Sequence, residues 1–182
     1  MTTFIDVSLV LMGCGPFTNL VTRPTGAAVR SQIEARVGRD RAGAVTIIDF
    51  SHVGLLDFSC ADEVVAKLLL SADARGEDVY FLFRGISESH LDAIDAVLER
   101  HGLALVVQLA DGAAQLHGAV NAGERSTWEA LYLLARPCSG EDVAERLGRD
   151  PGDSRATLET LHRRRVVLRD GDGRYVALGR GT

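Results

Sequence analysis

Ala44-Val45-Thr46-Ile47-Ile48-Asp49-Phe50, then a turn, then Asp57-Phe58-Ser59-Cys60 opening the series Ala61, Val64, Val65, Leu68, Leu69 and Ala72: this stretch decides the fold. The first run is rich in β-branched side chains and polar only at Thr46 and Asp49, which suits a strand covered on both faces in the middle of a sheet. The series after the turn recurs at i, i+3, i+4, i+7, i+8 and i+11, which puts one apolar stripe on a helix facing that sheet. Ser59 stands at the expected N-cap, and Asp62, three residues on, can reach back or offset the positive end of the helix dipole. A buried strand therefore feeds a helix whose exposed beginning carries several acceptors.

Toward the N-terminus, Phe4 to Met12 alternates around Asp6 and Ser8 before becoming continuously apolar, and reads as a first strand ended by Gly13-Cys14-Gly15-Pro16. That Gly-x-Gly lacks the third glycine of a dinucleotide fingerprint, and Pro16 and Phe17 follow where a helix would start, so it predicts no phosphate cradle. Thr25 is the expected cap of a helix carrying Val29, Ile33 and Val37, stopped by Gly38. Downstream, Val79 to Phe83 reads as a strand, and Ser87 or Ser89 caps a helix with Leu91, Ile94, Val97 and Leu98 inward and Gly102 past its end. Leu103 to Leu109 is the next strand, and Ala113 to Leu116 adds a short edge strand. This alternation predicts an α/β domain over residues 1–122, with Gly118 to Gly123 as linker.

Residues 123–182 have another rhythm. Ser126-Thr127-Trp128-Glu129 reads as a capping box, and Trp128, Leu131, Tyr132 and Ala135 share one helical face that ends before Pro137. Ser139 with Asp142 starts a short second helix ending at Gly148; Asp153 or Ser154 caps a third, with Leu158 and Leu161 buried. Val166-Val167-Leu168 and Tyr175 to Leu178 then flank the turn Asp170-Gly171-Asp172-Gly173. Three helices and a hairpin in this order predict a winged helix.

The strand ending in Asp, the loop with an apolar pair and the Asp-x-Ser step into a helix resemble the STAS domain of bacterial anti-sigma factor antagonists. The family pattern is Asp-Ser-Ser-Gly, its first Ser phosphorylated by a partner kinase that is also the anti-sigma factor. Here the matched positions read Asp57, Phe58, Ser59 and Cys60, so Phe58 stands at the phosphoacceptor position and cannot receive phosphate. The chain is thus STAS-like, and the resemblance implies that Asp57, Phe58, Ser59 and Asp62 form a docking surface for another protein, for instance a histidine-kinase-like ATPase. The last stretch resembles the winged helices of bacterial transcription regulators in Thr157-Leu158-Glu159-Thr160-Leu161, Val166-Val167-Leu168-Arg169 and Asp172-Gly173-Arg174-Tyr175. Arg165 stands where that pattern has a glycine in left-handed conformation.

In such a domain the third helix enters the major groove and the wing meets backbone or minor groove. Arg155, Glu159, His162 and Arg163 fall on the helix face opposite Leu158 and Leu161, while Arg164, Arg165, Arg169 and Arg174 extend the positive region toward the wing. Arginine suits the work, because its planar fork pairs with phosphate and guanine edges. The expected function is a transcriptional regulator in which a STAS-like layer receives a partner or signal and Arg155, Glu159, His162, Arg163, Arg164, Arg169 and Arg174 bind double-stranded DNA, as a homodimer. A protein adaptor of a partner-switching pathway, without DNA binding, is the alternative.

Composition sets the frame. The 182 residues are 46% apolar and 25% charged, ordinary for a globular protein. No run approaches the roughly 18–20 apolar residues that span a bilayer, and no basic segment with a small-residue cleavage site opens the chain, so a cytoplasmic location is expected. The formal net charge of -5 conceals an asymmetry: nine basic and fifteen acidic residues over 1–122, eleven basic and ten acidic over 123–182. Cys14, Cys60 and Cys138 are odd in number and lack ligand spacing, which predicts buried thiols and no metal site. The Asp170 to Gly173 turn lacks the later ligands of a calcium loop. His52 is the best acid/base candidate, yet no nucleophile with its base is legible, so no enzyme activity and no cofactor is expected.

Overall fold

Asp6 sets the first departure from the sequence reading. In the computed structural model, which describes residues 2–37, 43–76 and 78–180, strand β1 covers only Thr3–Asp6 and helix α1 follows at once over Val7–Cys14. The Asp6 carboxylate accepts from the Ser8 and Leu9 amides and from the Ser8 hydroxyl, a cap that turns the apolar run helical. Val7, Val10 and Leu11 face inward on that helix, and Leu9 and Met12 face out.

The same preference for an early cap recurs. Thr22, not Thr25, caps α2 (Arg23–Arg36), with Pro24 in its first turn; the expected stop at Gly38 lies outside the described residues. Asp57, not Ser59, caps α3 (Phe58–Ala61), its Oδ1 accepting from the Cys60 amide at 2.8 Å and the Ser59 hydroxyl at 2.9 Å. The helix then widens into a π turn over Asp62–Ala66 and continues as α4 (Lys67–Ala74). Ser87 caps α5 (Glu88–His101) in a reciprocal bond with His90, and Gly102 ends it in left-handed conformation. Asn121, with Glu124, caps α6 (Ala122–Leu134) a turn ahead of the expected Ser126 box. Ser139 caps α7 (Gly140–Leu147) as expected, and Asp150, ahead of Pro151, caps α8 (Pro151–Arg163) in place of Asp153 or Ser154. Proline belongs in a helix's first turn because its missing N–H is an orphan there anyway.

Strands β1, β2 (Ala44–Asp49), β3 (Val79–Arg84) and β4 (Ala104–Gln108) are parallel in that spatial order, and β5 (Ala114–Gly118) closes the sheet antiparallel to β4. β2 is internal as expected, though β3 occupies the middle. Val79, Phe81 and Phe83 on one face of β3 pack with α1 to α5, while Tyr80 and Leu82 on the other face pack beneath the C-terminal residues. Coverage of both faces explains why β3 carries no charge from Val79 to Phe83. The outer side of β5 is met by α6: the Ala114 amide donates to Tyr132 Oη at 3.0 Å, and Arg125 donates to the Leu116 carbonyl at 2.8 Å.

Helices α6, α7 and α8 and the hairpin β6 (Val167–Arg169) and β7 (Tyr175–Ala177) share one core with the sheet's second face. Trp128 is central to it, its indole N–H donating to the Val166 carbonyl at 3.0 Å. Only residues 119–121 separate β5 from α6, far less than the linker expected. Arg164 closes the seam, donating to Glu124 at 2.9 Å and to the carbonyls of Gly102 and Ala119 at 3.2 and 2.6 Å. Arg165 does sit in the left-handed region, at φ 59°, and its guanidinium pairs with Asp73 at 2.8 Å. Charge across the seam thus occupies a position where glycine would be easier.

Helix α2 approaches the π turn closely because Gly26 has no side chain: a Cβ there would lie 3.0 Å from Glu63 Cβ and 3.2 Å from Cys60 Cα. Gly26→Ala is expected to destabilise the fold by about 1–3 kcal/mol through overpacking, read as a lower urea midpoint at unchanged slope.

Candidate functional site

Two surfaces carry the residues singled out from the sequence. The first lies where segments 18–22 and 54–58 run side by side. Leu20 N–H donates to Leu55 O at 2.8 Å, Asp57 N–H to Leu20 O at 3.0 Å, and Gly54 N–H to Thr18 O at 3.1 Å. Both segments are locally extended, so neighbours point to opposite sides. Leu20 and Leu56 turn into the core, and Val21 and Leu55 turn out, 45% and 60% exposed. Phe58 joins them at the start of α3, 39% exposed, with the Arg100 guanidinium 5.8 Å from its ring centroid. His90 fixes the loop from behind: its Nε2 donates to Gly54 O at 2.8 Å while Nδ1 accepts from the Ser87 amide.

Beneath this surface lies a buried ionic cluster. Asp62 accepts from His101 at 2.7 Å and Arg23 at 3.0 Å; Glu63 accepts from Arg23 at 2.8 Å and from Lys67, with Arg30 3.6 Å away. Burial raises the pKa of both carboxyls, but these bonds outweigh it and hold both below their ordinary values. Asp62, expected at the docking surface, is therefore enclosed and acts as a support. Burial, with the Asp57 charge beside it, pushes the Cys60 thiol up to about 11, which leaves it protonated and unreactive. Asp57 and Ser59 are partly exposed and bonded to one another.

The second surface is the outward face of α8 with the hairpin. Arg155, Glu159 and Arg163 lie along that face, and Arg169 and Arg174 on the hairpin are exposed. Two of these cations pair with carboxylates. Arg155 pairs with Glu141, Arg169 pairs with Glu159 at 3.2 Å, and Glu159 also accepts from the Tyr175 hydroxyl. Burial and Glu159 push the Tyr175 phenol up to about 12. Arg163 bonds within its own helix, to Glu159 O and Thr160 Oγ1. Two expected members of the face turn inward instead. His162 stacks on Tyr80 with ring centroids 6.3 Å apart and bonds through Nδ1 in the seam, and Arg164 is the seam residue described above. His162 stands four residues after Leu158 and so lies beside the buried side of the helix and not opposite it, and Arg164 is the residue after the helix's last turn.

Leu9, Met12, Phe17, Val21 and Leu55 are exposed apolar residues that sequence reasoning missed, the first two because a strand reading assigned them to the sheet. His52 is 73% exposed at its side chain and lies 3.7 Å from Asp6. Among the described residues no group of three or more His, Cys, Asp or Glu could hold a metal ion, and no helix is long and apolar enough to cross a membrane. The arrangement offers buried support, apolar contact area and hydrogen-bonding rims: it can bind. Comparison with protein-family models, with curated proteins and with solved structures finds no match to this chain.

Proposed function

We propose that this chain is a regulatory protein-binding module, a STAS-like platform that docks a protein partner on Val21, Leu55 and Phe58, rimmed by Arg23, Arg100 and Asp57. The observation that carries the reading is that the side-by-side segments 18–22 and 54–58 bring exposed Val21, Leu55 and Phe58 together. Apolar side chains gathered at one end and rimmed by charge are the usual mark of a protein interface. A histidine-kinase-like ATPase is the kind of partner the sequence resemblance implies.

DNA binding is the second reading, with the C-terminal unit as a winged helix. Its support is the placement of Arg155 and Arg163 on the outward face of α8 beside Arg169 and Arg174 on the hairpin. Carboxylates at Glu141, Asp153, Glu159, Asp170 and Asp172 on the same side weaken the field a duplex would meet, which is why this reading comes second.

Capture from native extract on the immobilised chain, with and without nuclease, separates the two. The first reading expects a nuclease-resistant partner that Phe58→Asp releases and Leu133→Asp does not. A partner kept by Phe58→Asp would sink it. Retention of genomic DNA fragments at low salt, lost on Arg155→Ala with Arg163→Ala and falling steeply with added salt, would put the second reading first.

A further inference from the structure

We propose that the crevice at the carboxyl ends of β2, β3 and β4 binds a small monocarboxylate with an apolar body, held by the Arg84 guanidinium and the Gln108 amide. The site is separate from the docking surface and stands whether or not a protein partner binds there. The crevice has a volume of about 440 Å³, within the range of roughly 300–1,000 Å³ usual for small-ligand pockets. Asp49, Arg84 and Gln108 stand abreast on three neighbouring parallel strands, so their side chains leave the same face of the sheet. Ser51 fixes Asp49 through its amide and hydroxyl, and Asp49 in turn accepts from Arg84 Nε at 2.7 Å. The Phe4 ring supports the guanidinium, which lies 4.5 Å from its centroid. Gly85, at φ 67°, lets the loops after β2 and β3 touch: a Cβ there would lie 2.3 Å from the Ser51 amide nitrogen.

What points to a ligand is the set of donors left over. Arg164, the seam arginine, spends its guanidinium on three acceptors. Arg84 gives only Nε, and among the described residues neither its Nη groups nor the Gln108 side-chain amide has a hydrogen-bond partner. The two Nη groups are the end of a planar fork whose geometry matches a carboxylate. Ile86 and Leu109, which line the same crevice and pack on the sheet's core, provide an apolar wall for the rest of the molecule. Charge fixes the valence. Asp49 already neutralises Arg84, and exposed Asp111 stands between the lining residues Ala110 and Gly112, so a single negative charge fits and a dianion such as phosphate meets net repulsion.

Amide chemical shifts of the isotope-labelled full chain, titrated with sodium benzoate or sodium isovalerate against sodium chloride at equal ionic strength, test this. At least one of the two carboxylates is expected to shift the Ser51, Gly85, Ile86 and Gly112 amides saturably at about millimolar concentration, as fits a fragment of this size. Benzamide, the uncharged counterpart of benzoate, and inorganic phosphate are expected to bind at least about tenfold more weakly. Gln108→Ala, which leaves the pair of Asp49 and Arg84 intact, is expected to weaken binding about tenfold, and Arg84→Lys, which keeps the charge without the fork, about tenfold or more. No saturation with either carboxylate at about ten times that concentration overturns the proposal, as do shifts centred elsewhere or benzamide bound as tightly as benzoate. Binding that Gln108→Ala or a folded Arg84→Lys leaves unchanged overturns it too, and phosphate bound as tightly as the carboxylates overturns the assignment of a single charge.

Discussion

Trp128→Ala is expected to lower the unfolding free energy by about 3–5 kcal/mol. The side chain is 2% exposed and sits among Leu131, Leu158, Val167 and Leu178, with Tyr132 stacked 5.2 Å away. Removing it opens a cavity and leaves the Val166 carbonyl without its indole donor. Because the same cluster includes Tyr80, Leu82 and Val106 of the sheet, the damage is shared by both halves. Circular dichroism should therefore show one transition, displaced to lower denaturant. In the wild type the fluorescence of Trp128, the single tryptophan, should follow the same curve. A C-terminal half that melted first, with the sheet's signal intact, would mean that the two halves are not one cooperative unit.

Glu63→Ala should cost about 1–3 kcal/mol, below the usual loss for breaking a buried pair because Arg23 and Lys67 can turn to water. Its clearer signature is in acid. Glu63, Asp62 and Asp49 all have folded pKa values below their unfolded ones; for Asp49, burial raises it and bonds from Ser51 and Arg84 more than reverse that. Groups shifted down stabilise the fold fully above the unfolded carboxylate range, about pH 4, and lose that contribution as pH falls through their folded values. The melting temperature of the wild type should accordingly drop below about pH 5, and Glu63→Gln, which keeps the shape without the charge, should drop less steeply. Parallel curves for the two proteins would rule out Glu63 as a source of acid sensitivity.

Much of this architecture can be read without coordinates, for physical reasons that also mark where reading fails. The strands β2 to β4 and the helices carrying Ile94 or Leu158 follow from long, one-sided apolar periodicity, which few alternative structures can satisfy. The start of α1 was misread because its run of apolar residues suits either element, and one carboxylate, that of Asp6, decides between them. Phe58 at the proposed docking end is legible as an apolar residue in an Asp-x-Ser turn. Its companions Val21 and Leu55 are not, since their exposure depends on two segments distant in sequence lying side by side. His162, four residues after Leu158, is legible as a neighbour of the buried side, whereas Arg164 lies past the helix's end and only the tertiary seam says what it meets.

The α6 side chains that occupy two outer hydrogen-bonding groups of β5 have a consequence for how this protein can grow. With Tyr132 and Arg125 as stoppers on that side, the four-residue strand β1 is the other edge of this sheet among the described residues. Chain-upon-chain stacking needs two free flanks per molecule, and this sheet has one, so ribbon-like polymerisation is arrested after a single addition.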